Sequence, residues 1–472
     1  MIPVVRHMMW LFLPIVVAGL VVIDPWLIRA APTDLARILQ LHSVPYATPL
    51  VFVLMPLGAI AVFRLACKAE DLAVLSLALI IMASQLNGIG AGPFDIFDVA
   101  LFGILALWIA RYALDVTRPI RLSVLFFLAT GLVVLAIAHL PMMSAVQWLI
   151  GLIGITRVAI ISLLIVDLCQ DLRKLDAALR VMVATAVVSA TLGVAQFTLA
   201  YTQISYLTLI EPPISAFKPT PIGFVMRASG LCITAQHFSS FLVYALPFAL
   251  FRLSDMCNWR NAAGVAVILA GIAVSLNFGA IFAALLVMGL MPFLRWPQLA
   301  IHLGLGLLGA MSLTYFLGGF DLIYDLSFGD SGVAKGVDQR KTLFTLGLEQ
   351  FGRNPLVGTG MRGFGDVDGN FWHRPVHNMF GQVAVELGVG GLLIFLAIFF
   401  ILTIDLARCA TLTGSAVNHT RVGLLMLAAA LLLGQSEPNL DQSNLWIVLA
   451  MAQAMILIVR ADAVRGSPLQ SS

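Results

Sequence analysis

Charged residues are scarce in this chain of 472 residues. Only 11% are Asp, Glu, Lys or Arg, whereas 60% are hydrophobic, and the mean hydropathy is +1.00. Soluble domains carry about 25% charged residues, so this composition excludes a soluble globular protein. The net charge of +3 is too small to indicate a nucleic-acid partner. The composition therefore predicts an all-α polytopic membrane protein.

Cysteine is also scarce, with five residues in the chain. Four of them fall on the predicted cytoplasmic side and only Cys232 is predicted near the outer face, the four being Cys67, Cys169, Cys257 and Cys409. A single outer cysteine has no partner within the chain, so we expect no disulfide bonds.

Long hydrophobic runs are abundant. Because a helix needs about 20 apolar residues to cross a bilayer, we predict 12–14 transmembrane helices, with candidate spans at 8–23, 46–63, 72–88, 98–114, 121–140, 146–166, 181–201, 235–251, 261–276, 279–294, 298–319, 379–404, 422–436 and 443–460. The pair 261–276 and 279–294 could instead form a re-entrant or broken element. The first run could be a signal peptide. We favour an uncleaved anchor because its removal would move the next basic loops to the wrong side.

The positions of Lys and Arg predict the orientation. If the N-terminus is cytoplasmic, 16 of the 27 basic residues lie in cytoplasmic loops and helix ends, and the short outer loops hold none. Both termini are then cytoplasmic. Four regions follow: an N-terminal transmembrane bundle (1–201), an outer loop with central transmembrane helices (202–319), a large periplasmic loop (320–378) and C-terminal transmembrane helices (379–472). The outer segment 202–234 is rich in proline and is expected to be irregular.

The 320–378 loop holds the longest polar interruption. Residues 339–352 fit an amphipathic helix lying on the bilayer or across the bundle mouth, with Asp338 as N-cap and an apolar face formed by Phe344, Gly347, Leu348 and Phe351, widened by Leu343 and Leu346. Arg340 and Lys341 then fall in its first turn. Cations there oppose the helix dipole, which indicates either a bound anion or a tolerated surface charge.

Two side chains in outer positions suit chemistry on an anion, and one arginine lies within a span. His377, just before the span 379–404, could take a proton from a sugar hydroxyl. Arg227, just before the span 235–251, could clamp a phosphate. Arg157 lies within a predicted span, and we predict Glu386 as its partner, in a structural or a catalytic role. His373 and His377 have a metal-binding spacing, but Arg374 and Pro375 lie between them, so no metal is expected.

In their order along the chain, these residues resemble the O-antigen ligase and O-antigen polymerase superfamily of bacterial envelope glycosyltransferases. The resemblance covers about residues 215–400. It rests on Arg227-x-Ser-Gly, on Arg340 followed by Asn354-Pro-Leu-Val-Gly-Thr-Gly360 and Phe364, and on His377-Asn378-x9-Gly388-x-x-Gly391. The chain departs from the family at the bend Ser275–Gly279, where the family often has an arginine after the serine.

The resemblance implies a GT-C-like helical bundle in the bacterial inner membrane with a periplasmic active site. The donor would be a glycan on undecaprenyl diphosphate, and the acceptor a glycan or lipid A-core. Arg227 and Arg340 would hold the diphosphate while His377 orients or deprotonates the acceptor hydroxyl, without a cofactor or metal. The further residues expected to bind substrate are Lys341, Arg353, Asn378, Gly358, Gly360 and Arg362.

The product of the reaction stays open at this point. A polymerase would extend O-antigen or exopolysaccharide, with a copolymerase that sets chain length as a candidate partner. A ligase would move the glycan to lipid A-core. A membrane transporter is the alternative from another class, although basic residues gather in outer loops rather than at mid-membrane.

Overall fold

The computed structural model describes residues 72–86, 90–91, 94–114, 120–138, 145–199, 217–220, 223–232, 234–295, 332–371, 374–412, 417–435, 437, 440 and 442–465. Within these ranges the helices are α1 (Leu72–Ala83), α2 (Ile96–Leu114), α3 (Val124–Ala138), α4 (Ala145–Leu168), α5 (Leu172–Leu199), α6 (Ala235–Asp255), α7 (Trp259–Val274), α8 (Phe278–Arg295), α9 (Gly332–Arg353), α10 (Met379–Ala410), α11 (Val417–Gly434) and α12 (Ser443–Arg465). Short 3-10 turns follow α1, at Ser84–Leu86, and precede α10, at Gly363–Asp366.

The predicted class, an all-α polytopic membrane protein, is confirmed. In the described part of the chain six helices are long and apolar enough to cross a bilayer, α4, α5, α8, α10, α11 and α12, and four shorter apolar helices accompany them. Eleven of the fourteen predicted spans coincide with helices. The other three, 8–23, 46–63 and 298–319, lie outside the described residues. The alternative of a signal peptide, which concerns the span 8–23, and Cys67 lie outside them as well.

Hydrogen bonds between loops bring the segments with the sequence motifs together at one end of the helical bundle. The backbone N–H of Ala228, just before α6, donates to the carbonyl of Val274 at the end of α7 (3.1 Å). Cys232 donates to Gln85 after α1 (3.2 Å), so α1 ends at the same level. We call this end of the bundle the motif end. Between the two ends the core is apolar, and its largest fully buried side chains include Trp446, Tyr244, Phe238 and Phe395.

Part of the outer segment 202–234 is regular, so the prediction of irregular backbone is wrong there. Strands β3 (Phe217–Thr220) and β4 (Gly223–Met226) form an antiparallel hairpin with Phe217 opposite Met226. A second small hairpin joins β1 (Gly90–Ala91) to β2 (Phe94–Asp95). Proline in these segments misled the prediction, because a two-stranded hairpin has only edge strands and these tolerate proline.

Helix α9 starts earlier than predicted and buries a different face than predicted. It begins at Gly332, seven residues earlier than predicted, so Asp338 lies inside the helix and is not its N-cap. Arg340 and Lys341 therefore lie in mid-helix, and a helix-dipole site for an anion at these residues is excluded. The buried face comprises Leu343, Gly347 and Gln350, with Leu346 and Phe351 half-buried, whereas Phe344 and Leu348 are exposed.

Helix α10 is broken at Gly388, where a neighbouring loop occupies the break. Gly388 has φ 67° and ψ −167° inside the helix. The loop 354–360 supplies the missing partners: the N–H groups of Thr359 and Gly360 donate to the carbonyls of Val385 (2.8 Å) and Glu386 (2.9 Å). In return the N–H of Val389 donates to the carbonyl of Pro355 (2.8 Å). The Gly-rich loop thus completes the hydrogen bonding of a kinked helix.

Arg157 in α4 is paired, but the sequence analysis named the wrong partner. Asp98 in the first turn of α2 accepts a hydrogen bond from its Nη2 (2.8 Å), and the Asp98 Oδ1 lies 2.7 Å from its Nε in the same ion pair. Asp95 lies 3.3 Å from the Arg157 Nη1. The backbone N–H groups of Asp95 and Asp98 each donate to the other carboxylate. Glu386, the predicted partner, accepts instead from Gln382 (3.3 Å). The sequence prediction compared helix depths only, and overlooked two carboxylates at a helix start.

We predict that Gly388→Ala destabilises the protein by about 1–3 kcal/mol. Alanine is strained at this φ, and its Cβ would approach the carbonyl oxygen of Leu356 to 2.4 Å. Thermal unfolding in detergent checks this. Gly390→Ala is the matched control, because the nearest atoms to its Cβ belong to Leu135 at 3.7 Å. Equal melting temperatures for the two variants would contradict the role of the kink.

We predict that Arg157→Met lowers folded yield and stability by about 3–5 kcal/mol, because it leaves Asp98 buried without its counter-charge. Arg180→Met is the control. Its side chain is 61% exposed and pairs with Asp176, and exposed pairs contribute at most about 1 kcal/mol. Size-exclusion profiles and melting curves of both variants measure the difference. A melting temperature of Arg157→Met within the range of Arg180→Met would show that the buried pair is dispensable.

Candidate active site

Arg227 stands on a loop that α5 holds in place. Gln196 accepts from the N–H of Gly230 (2.9 Å) and donates to its carbonyl (3.0 Å). Gly230 has φ 57°, and a Cβ there would meet the ring of Phe238 at 2.5 Å, so the loop needs glycine. The Arg227 Nε donates to the carbonyl of Ser275 (3.0 Å), which fixes the guanidinium over the bend between α7 and α8.

Glu437, between α11 and α12, is a buried carboxylate that accepts hydrogen bonds from α6 and from the bend between α7 and α8. Its Oε2 accepts from Ser240 in α6 (2.9 Å), and its Oε1 accepts from the amide of Asn277 (2.5 Å). Asn277 also donates to Ser239 (2.8 Å). Burial raises the pKa of Glu437 to about 7, although its two hydrogen bonds and the charges of Arg227 and Arg340 favour the ionised form.

Arg227 and Arg340 form a cationic pair around this carboxylate. Burial lowers the pKa of Arg227; the charge of Glu437 opposes that shift and the charge of Arg340 adds to it. Arg340 is exposed on α9, and its charge acts on both Arg227 and Glu437. Two arginines that repel each other beside one buried glutamate form a site that favours an additional anion.

His377 lies just before α10, where the charge of Arg340 acts on its imidazole. Burial lowers its pKa to about 4, and the charges of Arg340 and Arg374 add to the shift. Its Nδ1 is buried and has no hydrogen-bond partner among the described residues. The imidazole is therefore neutral at pH 7 and able to accept a proton or a hydrogen bond.

Asn378 positions His377 by starting α10. Its side-chain oxygen accepts from the N–H of Gly381 (2.9 Å), which makes it the N-cap. Its amide nitrogen donates to the side chain of Gln435 (3.1 Å), just before Glu437. The His-Asn pair predicted from the sequence thus connects α10 with the loop that carries Glu437.

The other residues predicted to bind substrate are placed less centrally. The N–H of Gly358 donates to Asn354 (2.8 Å) and that of Gly360 to Glu386, so neither N–H is free to hold a phosphate. Lys341 and Arg353 are exposed on α9. Arg362 is exposed, has φ 61° and precedes the 3-10 turn at Gly363–Asp366. A role of Lys341, Arg353 and Arg362 in substrate binding stays a prediction. His373 lies outside the described residues.

Sequence reasoning missed Glu437 and Asn277. Glu437 lies in a short outer loop that has no basic residues. An acidic residue between two apolar spans is the sequence signal that could have identified it. Asn277 lies at the bend where the family often has an arginine, and here the bend contributes an amide to Glu437 instead. Leu276 takes φ 49° between Ser275 and Asn277, a conformation that is uncommon for leucine and sharpens the bend.

The arrangement suits anion binding next to a neutral base. Within the described ranges no group of three or more His, Cys, Asp or Glu side chains is placed to hold a metal ion. A cavity of about 390 Å³ lined by Arg121, Gln170 and Asp462 lies at the opposite end of the bundle and is not part of this site. The ionisable side chains described at the motif end include Arg227, Arg340, His377 and Glu437.

We predict that Glu437 makes stability depend on pH. Its pKa is 4.5 in its ordinary state and about 7 when folded. Between these values the folded protein keeps a proton that the unfolded chain releases, so the free energy of unfolding falls as pH rises, by up to about 3 kcal/mol. Glu437→Gln removes this dependence.

Thermal unfolding in detergent from pH 5 to 8 measures the effect. The wild type loses stability relative to Glu437→Gln as pH rises, whereas the exposed-site control Glu349→Gln follows the wild type. Parallel curves for wild type and Glu437→Gln would show that the carboxylate does not titrate in this window.

Comparison with known proteins leaves the family undetermined. No family model matches this sequence. No curated protein matches it either. The resemblance to the O-antigen ligase and polymerase superfamily therefore rests on the motif residues described above.

Proposed function

We propose that this protein is a glycosyltransferase that moves a glycan from undecaprenyl diphosphate to a sugar hydroxyl and so polymerises O-antigen or exopolysaccharide repeat units. One observation carries the proposal: the charge of Arg340 acts both on the buried Arg227 and Glu437 and on His377, although these residues are far apart in the sequence. They stand at one end of an apolar bundle, beside the level at which a lipid diphosphate would lie.

The proposed reaction needs an anion site and a proton acceptor. The acceptor hydroxyl oxygen attacks the anomeric carbon of the donor glycan and forms the new glycosidic bond. The bond between that carbon and the diphosphate oxygen breaks, and its electron pair stays on the diphosphate. Arg227 and Arg340 hold the diphosphate and stabilise the charge that develops on it. The hydroxyl proton passes to the imidazole of His377.

A bound diphosphate would change the basicity of His377 in the useful direction. In the structure Arg340 and Arg374 add to the lowering of its pKa. An anion between the arginines offsets their field, so donor binding raises the pKa of His377 towards neutrality. Glu437 serves as a positioning residue, because it fixes Asn277 and Ser240 and keeps the two arginines together when no donor is bound. This coupling makes the base effective when the leaving group is in place.

We also propose the location that this reaction requires. Basic residues at the opposite end of the bundle, such as Arg173, Lys174, Arg252 and Arg295, fit a cytoplasmic side. The motif end then faces the periplasm of a bacterial inner membrane. We propose the lipid-linked donor and an acceptor glycan as partners, and a chain-length copolymerase is a further candidate.

Complementation of a deletion strain tests the function. Strains carrying wild type, His377→Ala, Arg340→Ala or the control His419→Ala are compared for lipid-linked, lipopolysaccharide-linked and free polymer. His419 is the matched control because it lies at the opposite end, near Asp176. We expect the first two variants to lose about 100-fold or more of the polymer and His419→Ala to keep it.

The form of the product separates the alternatives. Single repeat units at the surface of the deletion strain indicate a polymerase. Long polymer on undecaprenyl diphosphate with bare lipid A-core indicates a ligase. Substrate flux without glycosyl transfer in proteoliposomes indicates a transporter. Wild-type polymer from His377→Ala at equal expression would overturn the assignment of His377, whichever product is made.

A further inference from the structure

Helix α9 carries an apolar stripe that no described part of the protein buries. Phe344 and Leu348 lie one turn apart on it and are 43% and 56% exposed. The buried face of the same helix, at Leu343 and Gly347, already packs on Val376 and Val385. The helix therefore has two apolar faces, and the second needs a partner other than the core.

The stripe begins with positive charge. Arg340 lies one turn before Phe344 on the same side, and Lys341 lies seven residues before Leu348, also on that side. Cations beside exposed aromatic and aliphatic side chains are typical of helices that lie in a membrane surface, where ammonium and guanidinium groups meet lipid phosphates.

Exposed apolar side chains also occur on the loop after α9 and on the membrane-spanning helix α10. The loop after α9 exposes Leu356 to 79%, and its carbonyl rests on the kink at Gly388. Beyond the kink, α10 exposes Leu393, Leu396 and Phe400 along one side. These three have helical spacing, and on a spanning helix such a face meets lipid. Helix α9 packs on this same helix through its buried face, where Leu343 joins Val385.

Helix length places this junction at the edge of the membrane. The part of α10 from Gly388 to the first charged residue beyond it, Asp405, is about 26 Å long at 1.5 Å per residue. This is within about one turn of the hydrocarbon thickness of about 30 Å. Gly388 then lies near the outer hydrocarbon boundary. The 354–360 loop on it lies at the level of the lipid headgroups, and α9 runs into this loop.

We propose that α9 is a membrane-surface helix: Phe344 and Leu348 insert into the outer leaflet, and Lys341 lies at its phosphates. The partner is the lipid surface. The inference concerns the surface beside the candidate site and does not depend on which reaction the site performs. It makes the position of Arg340 depend on the membrane as well as on the protein fold.

Spin labels on α9 test the proposal in vesicles of phosphatidylethanolamine and phosphatidylglycerol. Single cysteines replace Phe344, Leu348, Thr345 or Glu349 in a Cys67→Ser, Cys257→Ser parent, whose remaining cysteines Cys169, Cys232 and Cys409 are buried. Thr345 and Glu349 are the matched controls, because each is exposed and follows a stripe residue directly. Leu396→Cys serves as the lipid-facing reference. Power saturation measures the accessibility of each label to oxygen and to a water-soluble nickel complex.

The expected result is a several-fold higher ratio of oxygen to nickel accessibility at 344 and 348 than at 345 and 349, approaching the ratio at 396. Four equal, water-like ratios would show that α9 stands clear of the bilayer and would overturn the proposal. Low accessibility to both reagents at 344 and 348 would show that another protein segment covers the stripe, which also overturns it. If Phe344→Cys does not fold, the pair 348 and 349 decides.

Discussion

The contact between the 354–360 loop and the break in α10 is the constraint on which the motif end depends. Without it, the carbonyls of Val385 and Glu386 would lose their partners beside an apolar environment, and each such loss costs about 1–3 kcal/mol. The loop and the break need each other's glycines: a Cβ on Gly358 would meet the carbonyl of Glu386, and one on Gly388 that of Leu356. This mutual fit fixes α9 relative to α10, and with it Arg340 relative to His377.

A second constraint is that the buried carboxylate of Glu437 needs hydrogen-bond donors and positive charges around it. Glu437 is surrounded by donors from α6 and from the bend before α8, and the fields of two arginines reach it. A buried carboxylate without such neighbours would be strongly disfavoured. The same neighbours leave Arg227 and Arg340 incompletely neutralised, since one carboxylate faces two guanidinium groups. Stability and anion affinity therefore arise from the same few side chains.

Hydrophobic run length predicted most of the fold, because crossing a bilayer requires a stretch of apolar residues that is visible in the sequence. The start of α9 was not predictable in the same way, because the segment Gly332–Asp338 contains two glycines, which are poor helix formers. His377, Arg227 and Arg340 were predicted as a group from motif order, and the structure brings them together. Glu437 and the pairing of Arg157 with Asp98 were missed because they depend on contacts across distant helices, which periodicity does not report.

The pairing of Arg157 with Asp98 and Asp95 has a consequence for biogenesis. The two carboxylates belong to β2 and the start of α2, and their cation arrives 59 residues after Asp98 in the chain. At about 5–20 residues per second of synthesis, this interval lasts several seconds. During that time α2 has its acidic end without a counter-charge, and α4 in turn carries an arginine that costs about 2.5–3.5 kcal/mol at mid-membrane when inserted alone. The two helices are therefore expected to leave the insertion machinery as a pair, so that their order of synthesis becomes part of how the bundle is assembled.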